Sequence, residues 1–141
     1  MVKQFRSSCV IASALDLIGD KWSLLIVRDM LLNKKSTYKE MIASDEGIAT
    51  NLLSSRLKML ASIGIITKRK LPKNKKENIY LLTERGIALA PLIMEVVIWS
   101  DQYIRAYHAK MNPFETHNMN KADIICHVQN EYRTLSTQIL G

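Results

Sequence analysis

The stretch from Gly64 to Thr83, GIITKRKLPKNKKENIYLLT, decides the fold of this 141-residue chain. Two short apolar segments, residues 65–67 and 79–82, have the composition of β-strands. The residues between them are almost all polar, with six lysines or arginines and one glutamate between positions 68 and 78. The stretch therefore predicts a β-hairpin with a strongly basic tip at residues 68–78.

The tip holds most of the excess positive charge. The whole chain carries a net charge of +7, and the tip alone contributes +5. A concentrated positive projection is suited to contact phosphates, since each phosphate that it neutralises releases condensed counterions. The alternative is a hairpin whose lysines only keep it soluble.

Composition indicates one globular domain with a sizeable core, because 48% of the residues are hydrophobic and 23% are charged. No apolar segment reaches the roughly 18 residues that span a bilayer, since Glu95 interrupts the best candidate. The apolar run near the N-terminus ends at Asp16 without a signal-peptide cleavage site, so we expect a mature cytoplasmic protein. Cys9 and Cys126 are too few for a disulfide scaffold.

Four helices are predicted before the hairpin from helical spacing of apolar residues. Thr37 and Glu40 have the spacing of a capping box at the start of the third helix. Gly47 and Gly64 stand where the turn before the fourth helix and the end of that helix need a positive φ. The predicted helices cover about residues 10–18, 21–33, 38–43 and 50–62.

The fourth helix has two contrasting faces. Leu53, Leu57 and Leu60 follow one another at helical spacing and are expected in the core. The opposite face is small, polar and free of acidic residues. It consists of Thr50, Asn51, Ser54, Ser55 and Lys58.

After the hairpin, Thr83 is expected to cap a long helix over residues 84–107, with a kink at Pro91. A last helix over residues 121–140 carries an apolar stripe. The stripe consists of Ile125, Val128, Tyr132, Leu135 and Ile139. Together with the apolar segment 87–99, this stripe predicts an isologous homodimer interface. Mutual coverage of the two helices within one monomer is the alternative.

This order of elements predicts a mainly α fold with a small antiparallel β-hairpin (α+β), arranged as a winged helix-turn-helix with flanking dimerisation helices. A recognition helix can enter the major groove of DNA, and a basic hairpin can contact phosphates. The residues expected to read bases are Thr50, Asn51, Ser54 and Ser55. Those expected on the DNA backbone are Tyr38, Arg56, Lys58, Lys73, Lys75 and Lys76. An ordinary helical core with a lysine-rich loop is the alternative.

Three blocks of sequence also resemble the signatures of the HxlR-type winged-helix transcriptional regulators, which are relatives of the MarR group. The blocks are ALDLIGDKW at 14–22, LSSRLKML at 53–60 running into GII at 64–66, and YLLTERG at 80–86. The resemblance implies a homodimeric regulator that binds double-stranded DNA through the helix at 50–62 and the wing at 68–78. It also implies a dimer interface formed by the first helix and the helices after the wing. We expect a DNA-binding domain at residues 1–110 and a helical extension at 111–141 that contributes to dimerisation.

The chain departs from the family at the start of the recognition helix. Members often have Ser then Pro where Ala49 and Thr50 stand, so we expect Thr50 to cap this helix. Cys9 aligns with a cysteine that some members use to sense oxidants or electrophiles, and Lys3 and Arg6 nearby would favour its thiolate. A half-buried cysteine that acts as a small apolar residue is the alternative.

The expected function is therefore transcriptional repression at a pseudo-palindromic operator, with a possible small-molecule, redox or electrophile effector. A winged helix that binds a protein partner instead of DNA is the alternative. No enzyme motif is present, and no cofactor is expected. The spacing of Cys126, His127, His108 and His117 fits no zinc site, so no metal is expected either.

Overall fold

The computed structural model describes residues 4–141. This part of the chain is mainly helical with one two-stranded antiparallel sheet, which confirms the predicted fold class. None of its helices is long and apolar enough to span a membrane. The elements are α1 (Val10–Ile18), α2 (Ser23–Leu31), α3 (Tyr38–Ile42), α4 (Thr50–Ser62), β1 (Ile66–Leu71), β2 (Asn74–Leu82), α5 (Glu84–Ile87), α6 (Ala90–Tyr103), a 3-10 helix (Arg105–Tyr107) and α7 (Lys121–Leu140).

The helix-turn-helix unit, α3 and α4 with the turn between them, forms as predicted. The Thr37 hydroxyl accepts the Glu40 amide N–H at 3.2 Å, and the Glu40 carboxylate accepts the Thr37 amide N–H at 3.1 Å. This capping box fixes the start of α3. Gly47 in the turn has φ +69° and Gly64 after α4 has φ +78°, both in the left-handed region that favours glycine.

The core lies where α2, α3, α4, the base of the hairpin, α6 and α7 meet. The predicted stripe on α4 is buried, with Leu53 and Leu60 fully inaccessible. The other large side chains that are almost completely buried are Val27, Met30, Leu31, Met41, Ile66 and Tyr132. One continuous core therefore supports the helix-turn-helix unit and the hairpin together.

The hairpin is longer and more regular than the sequence indicated. Its strands pair from Ile66 opposite Leu82 to Lys70 opposite Asn78, and a bulge follows Lys70. Most of the predicted tip is therefore β-strand, and only Pro72 and Lys73 connect the strands. Antiparallel pairing satisfies the backbone whatever the side chains are, so the strands continue beyond their apolar residues.

The predicted single helix over residues 84–107 is wrong. The chain forms α5, breaks at Ala88 and Leu89, and resumes as α6 with Pro91 in its first turn. Proline is tolerated there because the first amides of a helix have no partner within it, whereas a proline inside a helix would clash with the preceding turn. Thr83 does cap α5, accepting the Gly86 amide N–H at 3.2 Å.

The apolar stripe of α7 packs against its own chain. Tyr132 is buried, and Ile125, Val128 and Leu135 are partly buried against the core. By contrast, α1 has no buried residue, and Val10 and Ile11 are largely exposed. Most of the large apolar side chains that stay exposed in residues 4–141 therefore lie on α1 and α6, and none of them belongs to the α7 stripe.

Candidate nucleic-acid interface

The polar face of α4 is open to solvent. Burial of Leu53, Leu57 and Leu60 determines which side of the helix faces the core, which turns the opposite side outward. All five residues predicted on that side are exposed: Thr50, Asn51, Ser54, Ser55 and Lys58. They carry hydroxyl, amide and ammonium groups, which can hydrogen-bond to base edges and phosphates.

The start of α4 is held by Tyr38 of α3. Its half-buried ring directs the hydroxyl to donate to the Thr50 carbonyl oxygen at 3.0 Å. Tyr38, predicted as a backbone contact, thus stands beside the N-terminus of α4 and ties the two helices together.

Thr50 is not the cap of α4, contrary to the expectation from sequence. The N-cap is Ala49, which has an extended backbone and no side chain to accept a hydrogen bond. Thr50 is the first helical residue. No side chain therefore caps the first turn of the helix, and such helix N-termini suit anionic groups.

Arg56 is less exposed than its neighbours Ser55 and Lys58 on α4. Its Nη1 lies 3.6 Å from Asp20 Oδ1 in the turn between α1 and α2, and its side chain is 29% exposed. Its Nη2 donates to the exposed Ser55 hydroxyl at 3.5 Å. Arg56, predicted as a contact to the DNA backbone, is thus partly engaged within the protein.

The wing, predicted at residues 68–78, comprises the whole hairpin at residues 66–82 in the structure and presents its basic residues on both faces. Those predicted as phosphate contacts, Lys73, Lys75 and Lys76, are exposed at and just beyond the connection between the strands. The basic residues of β1, which are Lys68, Arg69 and Lys70, are exposed as well. Because alternate strand residues face opposite ways, the wing is positively charged all round.

A polar network holds the turn between α3 and α4, and sequence reasoning missed it. Arg28 of α2 donates two hydrogen bonds to the Glu46 carboxylate, at 2.7 and 3.0 Å, and two to the buried Asp29. The Ser44 hydroxyl donates to Asp29, and Lys35 donates to Ser44 at 2.7 Å. The signal in the sequence was an arginine and an aspartate side by side in the otherwise apolar α2.

This network has two electrostatic consequences. Hydrogen bonds from Arg28 hold the pKa of Glu46 below its ordinary value, and the Glu46 carboxylate raises the pKa of Arg28. Glu46 is therefore ionised and neutralised within the chain. Because Arg28 neutralises Glu46, this acidic residue just before α4 repels phosphates less strongly.

Cys9 lies at the start of α1 and is exposed. It is the N-cap of the helix, and its Sγ accepts the Ala12 amide N–H at 3.5 Å. Within a single protomer Cys9 is thus exposed rather than half-buried. Arg6 donates to Asp16 rather than to Cys9, and Lys3 lies outside the described residues.

Within residues 4–141, no three His, Cys, Asp or Glu side chains are placed to hold a metal ion. His127 lies 2.9 Å from the Glu131 carboxylate, one turn along α7.

Comparison with known proteins agrees with this geometry. Residues 17–108 match the HxlR-like helix-turn-helix family. The HTH-type transcriptional regulator YodB of Bacillus subtilis is 34% identical over 91 residues, which are 64% of this chain and 80% of YodB.

Two solved structures share the fold. PA1607, a candidate transcription factor, has 31% sequence identity and a TM-score of 0.69, over 82% of this chain and 80% of its own. Quinone-bound YodB from B. subtilis has 31% identity and a TM-score of 0.56, over 67% of this chain and 99% of its own. The family match covers well over half of the sequence and contains the whole helix-turn-helix unit and the wing. The chain belongs to the HxlR-like helix-turn-helix family of DNA-binding transcriptional regulators, and it is not an enzyme.

Proposed function

We propose that this regulator is a homodimeric repressor that binds a pseudo-palindromic operator in the bacterial cytoplasm. The observation that carries the proposal is the exposed, acid-free face of α4 beside a wing that is basic on both sides. Inserted into the major groove, α4 brings Asn51, Ser54 and Ser55 to the base edges, with Thr50 at its leading end. Occupancy of an operator within a promoter is enough to repress transcription.

The wing supplies affinity rather than sequence information. Lys73, Lys75 and Lys76 extend beyond the body of the protein, where they can reach phosphates beside the groove that α4 occupies. In this proposal Lys58 on α4 and Tyr38 beside the start of that helix also contact phosphates. Phosphate contacts of this kind set the register of α4 on the duplex.

The dimer is proposed to form through α1 and α6. The two helices carry seven of the twelve large hydrophobic side chains that are exposed in residues 4–141: Val10, Ile11, Leu15, Leu92, Val96, Trp99 and Tyr103. In this proposal residues 1–110 bind DNA, and residues 111–141 support the interface because α7 packs against α6. An ion pair between Lys121 and Glu95 joins these two helices.

An operator-binding assay tests the function. Duplexes with inverted repeats from upstream of the protein's own gene are titrated in gel shifts at about 150 mM salt, where non-specific binding is weak. We expect one complex with two protomers per repeat and half-sites about 34 to 36 Å apart. Binding of a protein partner without specific duplex binding at this salt concentration would instead favour a winged helix that serves protein interaction.

We also propose that Cys9 senses electrophiles. Cys9 is exposed at the N-terminus of α1, on one of the two helices of the proposed interface. YodB, a relative, has been crystallised with bound quinone. In the proposed step the Cys9 thiolate bonds to a ring carbon of a quinone, and protonation converts the quinone ring to a hydroquinone thioether.

The test of Cys9 is release of DNA by benzoquinone. Wild-type protein should leave its operator after treatment, and Cys9→Ser should stay bound. Cys126→Ser is the matched control, since Cys126 is also exposed but lies on α7. Equal release from wild type and Cys9→Ser would exclude Cys9 as the sensor.

A further inference from the structure

Arg56 occupies an unusual position on the recognition helix α4. It is one residue from Ser55 and two from Lys58, both exposed, and its Nη2 donates to the Ser55 hydroxyl at 3.5 Å. Its Nη1, however, lies 3.6 Å from Asp20 in the turn between α1 and α2. Its Nε is buried and has no hydrogen-bond partner among residues 4–141. A buried nitrogen without a partner is unfavourable, so the position of this arginine calls for a role.

The partner of Arg56 is rigidly held. Asp20 Oδ2 accepts the amide N–H groups of Trp22 and Ser23, each at 3.0 Å, and Oδ1 accepts the buried Ser23 hydroxyl. Burial alone would raise the pKa of Asp20. Hydrogen bonds from Ser23 and Trp22 and the charge of Arg56 outweigh that effect and lower the pKa, so Asp20 is an anion at neutral pH.

Asp20 therefore presents a fixed negative charge to the inner side of α4. The apolar stripe of α4 can pack in slightly different rotations, because hydrophobic contacts are not directional. The attraction between the Arg56 guanidinium and a carboxylate that is held in one place favours the rotation of α4 that keeps Nη1 3.6 Å from Asp20. Recognition of bases needs such control, since contacts must be held within about 0.5 Å and 10–20° of the productive geometry.

We propose that Arg56 is a positioning residue for operator recognition rather than a phosphate contact, and that Asp20 is its anchor. The pair sets the rotation at which α4 presents Asn51, Ser54 and Ser55 to the bases. This inference rests on the proposed binding of α4 in the major groove. It assigns a DNA-recognition role to Asp20, a residue that lies behind the recognition helix.

The test compares Asp20→Asn, Arg56→Gln and the double variant, with Lys58→Gln as the matched control on the exposed side of α4. Asparagine keeps a side-chain oxygen for the turn and removes the charge. Affinities for the operator and for an unrelated duplex are measured over a series of salt concentrations. Thermal melts verify that each variant is folded.

We expect Asp20→Asn and Arg56→Gln each to weaken operator binding by about tenfold. The two losses should not add, so the double variant should bind as tightly as whichever single variant binds less tightly. All three should keep the wild-type salt dependence and nearly the wild-type affinity for the unrelated duplex. Lys58→Gln should reduce the slope of log affinity against log salt by about 0.9, and its effect should add to that of Asp20→Asn.

Three results would overturn the inference. The first is a loss of salt slope in Arg56→Gln equal to that in Lys58→Gln, with additivity to Asp20→Asn, which would make Arg56 a phosphate contact. The second is normal operator affinity in Asp20→Asn, which decides the question even if Arg56→Gln fails to fold. The third is a parallel loss of melting temperature and of both affinities, which would show that the pair is merely structural. Absence of any operator binding by the wild type would instead refute the proposed function.

Discussion

At the scale of single residues, Tyr132 belongs to an apolar stripe, yet its hydroxyl group makes a hydrogen bond in the core. It belongs to the stripe of α7, and 1% of its surface is exposed. Its hydroxyl oxygen accepts the Leu82 amide N–H at 2.9 Å, which satisfies a buried donor at the base of the wing. The C-terminal helix is thereby attached to the strand that carries part of the basic surface.

Replacement of this hydroxyl gives the first prediction. Tyr132→Phe should lower the free energy of unfolding by about 1–3 kcal/mol, because the Leu82 N–H is left buried without an acceptor. Urea denaturation measures the change. Tyr107→Phe is the control and should be close to wild type, because Tyr107 is 90% exposed. A Tyr132→Phe protein as stable as this control would contradict the role of the hydroxyl.

Glu46 gives a prediction about pH. Hydrogen bonds from Arg28 place its folded-state pKa below the ordinary 4.5, so ionised Glu46 stabilises the folded state at neutral pH. This contribution is present above the ordinary pKa and is lost as pH falls through the lower folded-state pKa. The stability difference between wild type and Glu46→Gln should therefore be constant near neutrality and shrink below about pH 4.5. Urea denaturation at several pH values measures it, and a difference independent of pH contradicts the prediction.

At the scale of elements, the N-terminus of α4 lacks a favourable capping residue. The backbone of Ala49 already has the extended conformation of an N-cap, with φ −69° and ψ 149°. Ala49→Ser should therefore increase the free energy of unfolding by about 0.5–1 kcal/mol, since serine can accept a first-turn N–H. Ala61→Ser near the other end of α4 is the control, and a slight destabilisation is expected there. Equal effects of the two changes would show that the gain is not due to capping.

The wing gives a prediction about binding to DNA of any sequence. Replacement of Lys73, Lys75 and Lys76 by alanine should weaken binding to all duplexes and lower the salt slope by about 0.9 per lost phosphate contact. Lys110→Ala, which removes an exposed lysine outside the family segment, should leave the slope unchanged. Gel shifts over a range of salt concentrations measure both variants. An unchanged slope in the triple variant would exclude the wing from the DNA contact.

At the scale of the whole molecule, the uncovered apolar surface points to self-association. Ile11 is 72% and Trp99 56% exposed, although both are large apolar side chains on well-formed helices. Stable dimers bury about 800 Å² on each partner, and two helices per protomer can supply that area. The α7 stripe is not needed for this purpose, since its own chain covers it.

Ile11→Glu tests the proposed interface. A charge at this position should convert the dimer to a monomer at micromolar concentration, because it would have to be buried without a partner. Sedimentation velocity measures the change. Leu52→Glu, which adds a charge at a 40% exposed leucine on α4, should stay dimeric. A wild-type monomer at the same concentration would refute the dimer altogether.

The sequence by itself determined the local structure of the helix-turn-helix unit and the wing. The Thr37–Glu40 capping box, the positive φ of Gly47 and Gly64 and the buried stripe of α4 depend on residues within a few positions of one another. Apolar residues recur with a period of 3.6 in a helix and of 2 in a strand, and this spacing indicates which side of the element faces the core. For this reason the helix-turn-helix unit, the wing and the outward polar face of α4 were all predictable.

Only the tertiary structure decided how distant parts meet. The placement of Arg56 depends on Asp20, 36 positions earlier, and the role of Tyr132 depends on Leu82, 50 positions earlier. The break before Pro91 and the coverage of the α7 stripe also follow from packing between elements. Such contacts are set by the shape and polarity of surfaces that exist only once the chain is folded, so no local pattern in the sequence records them.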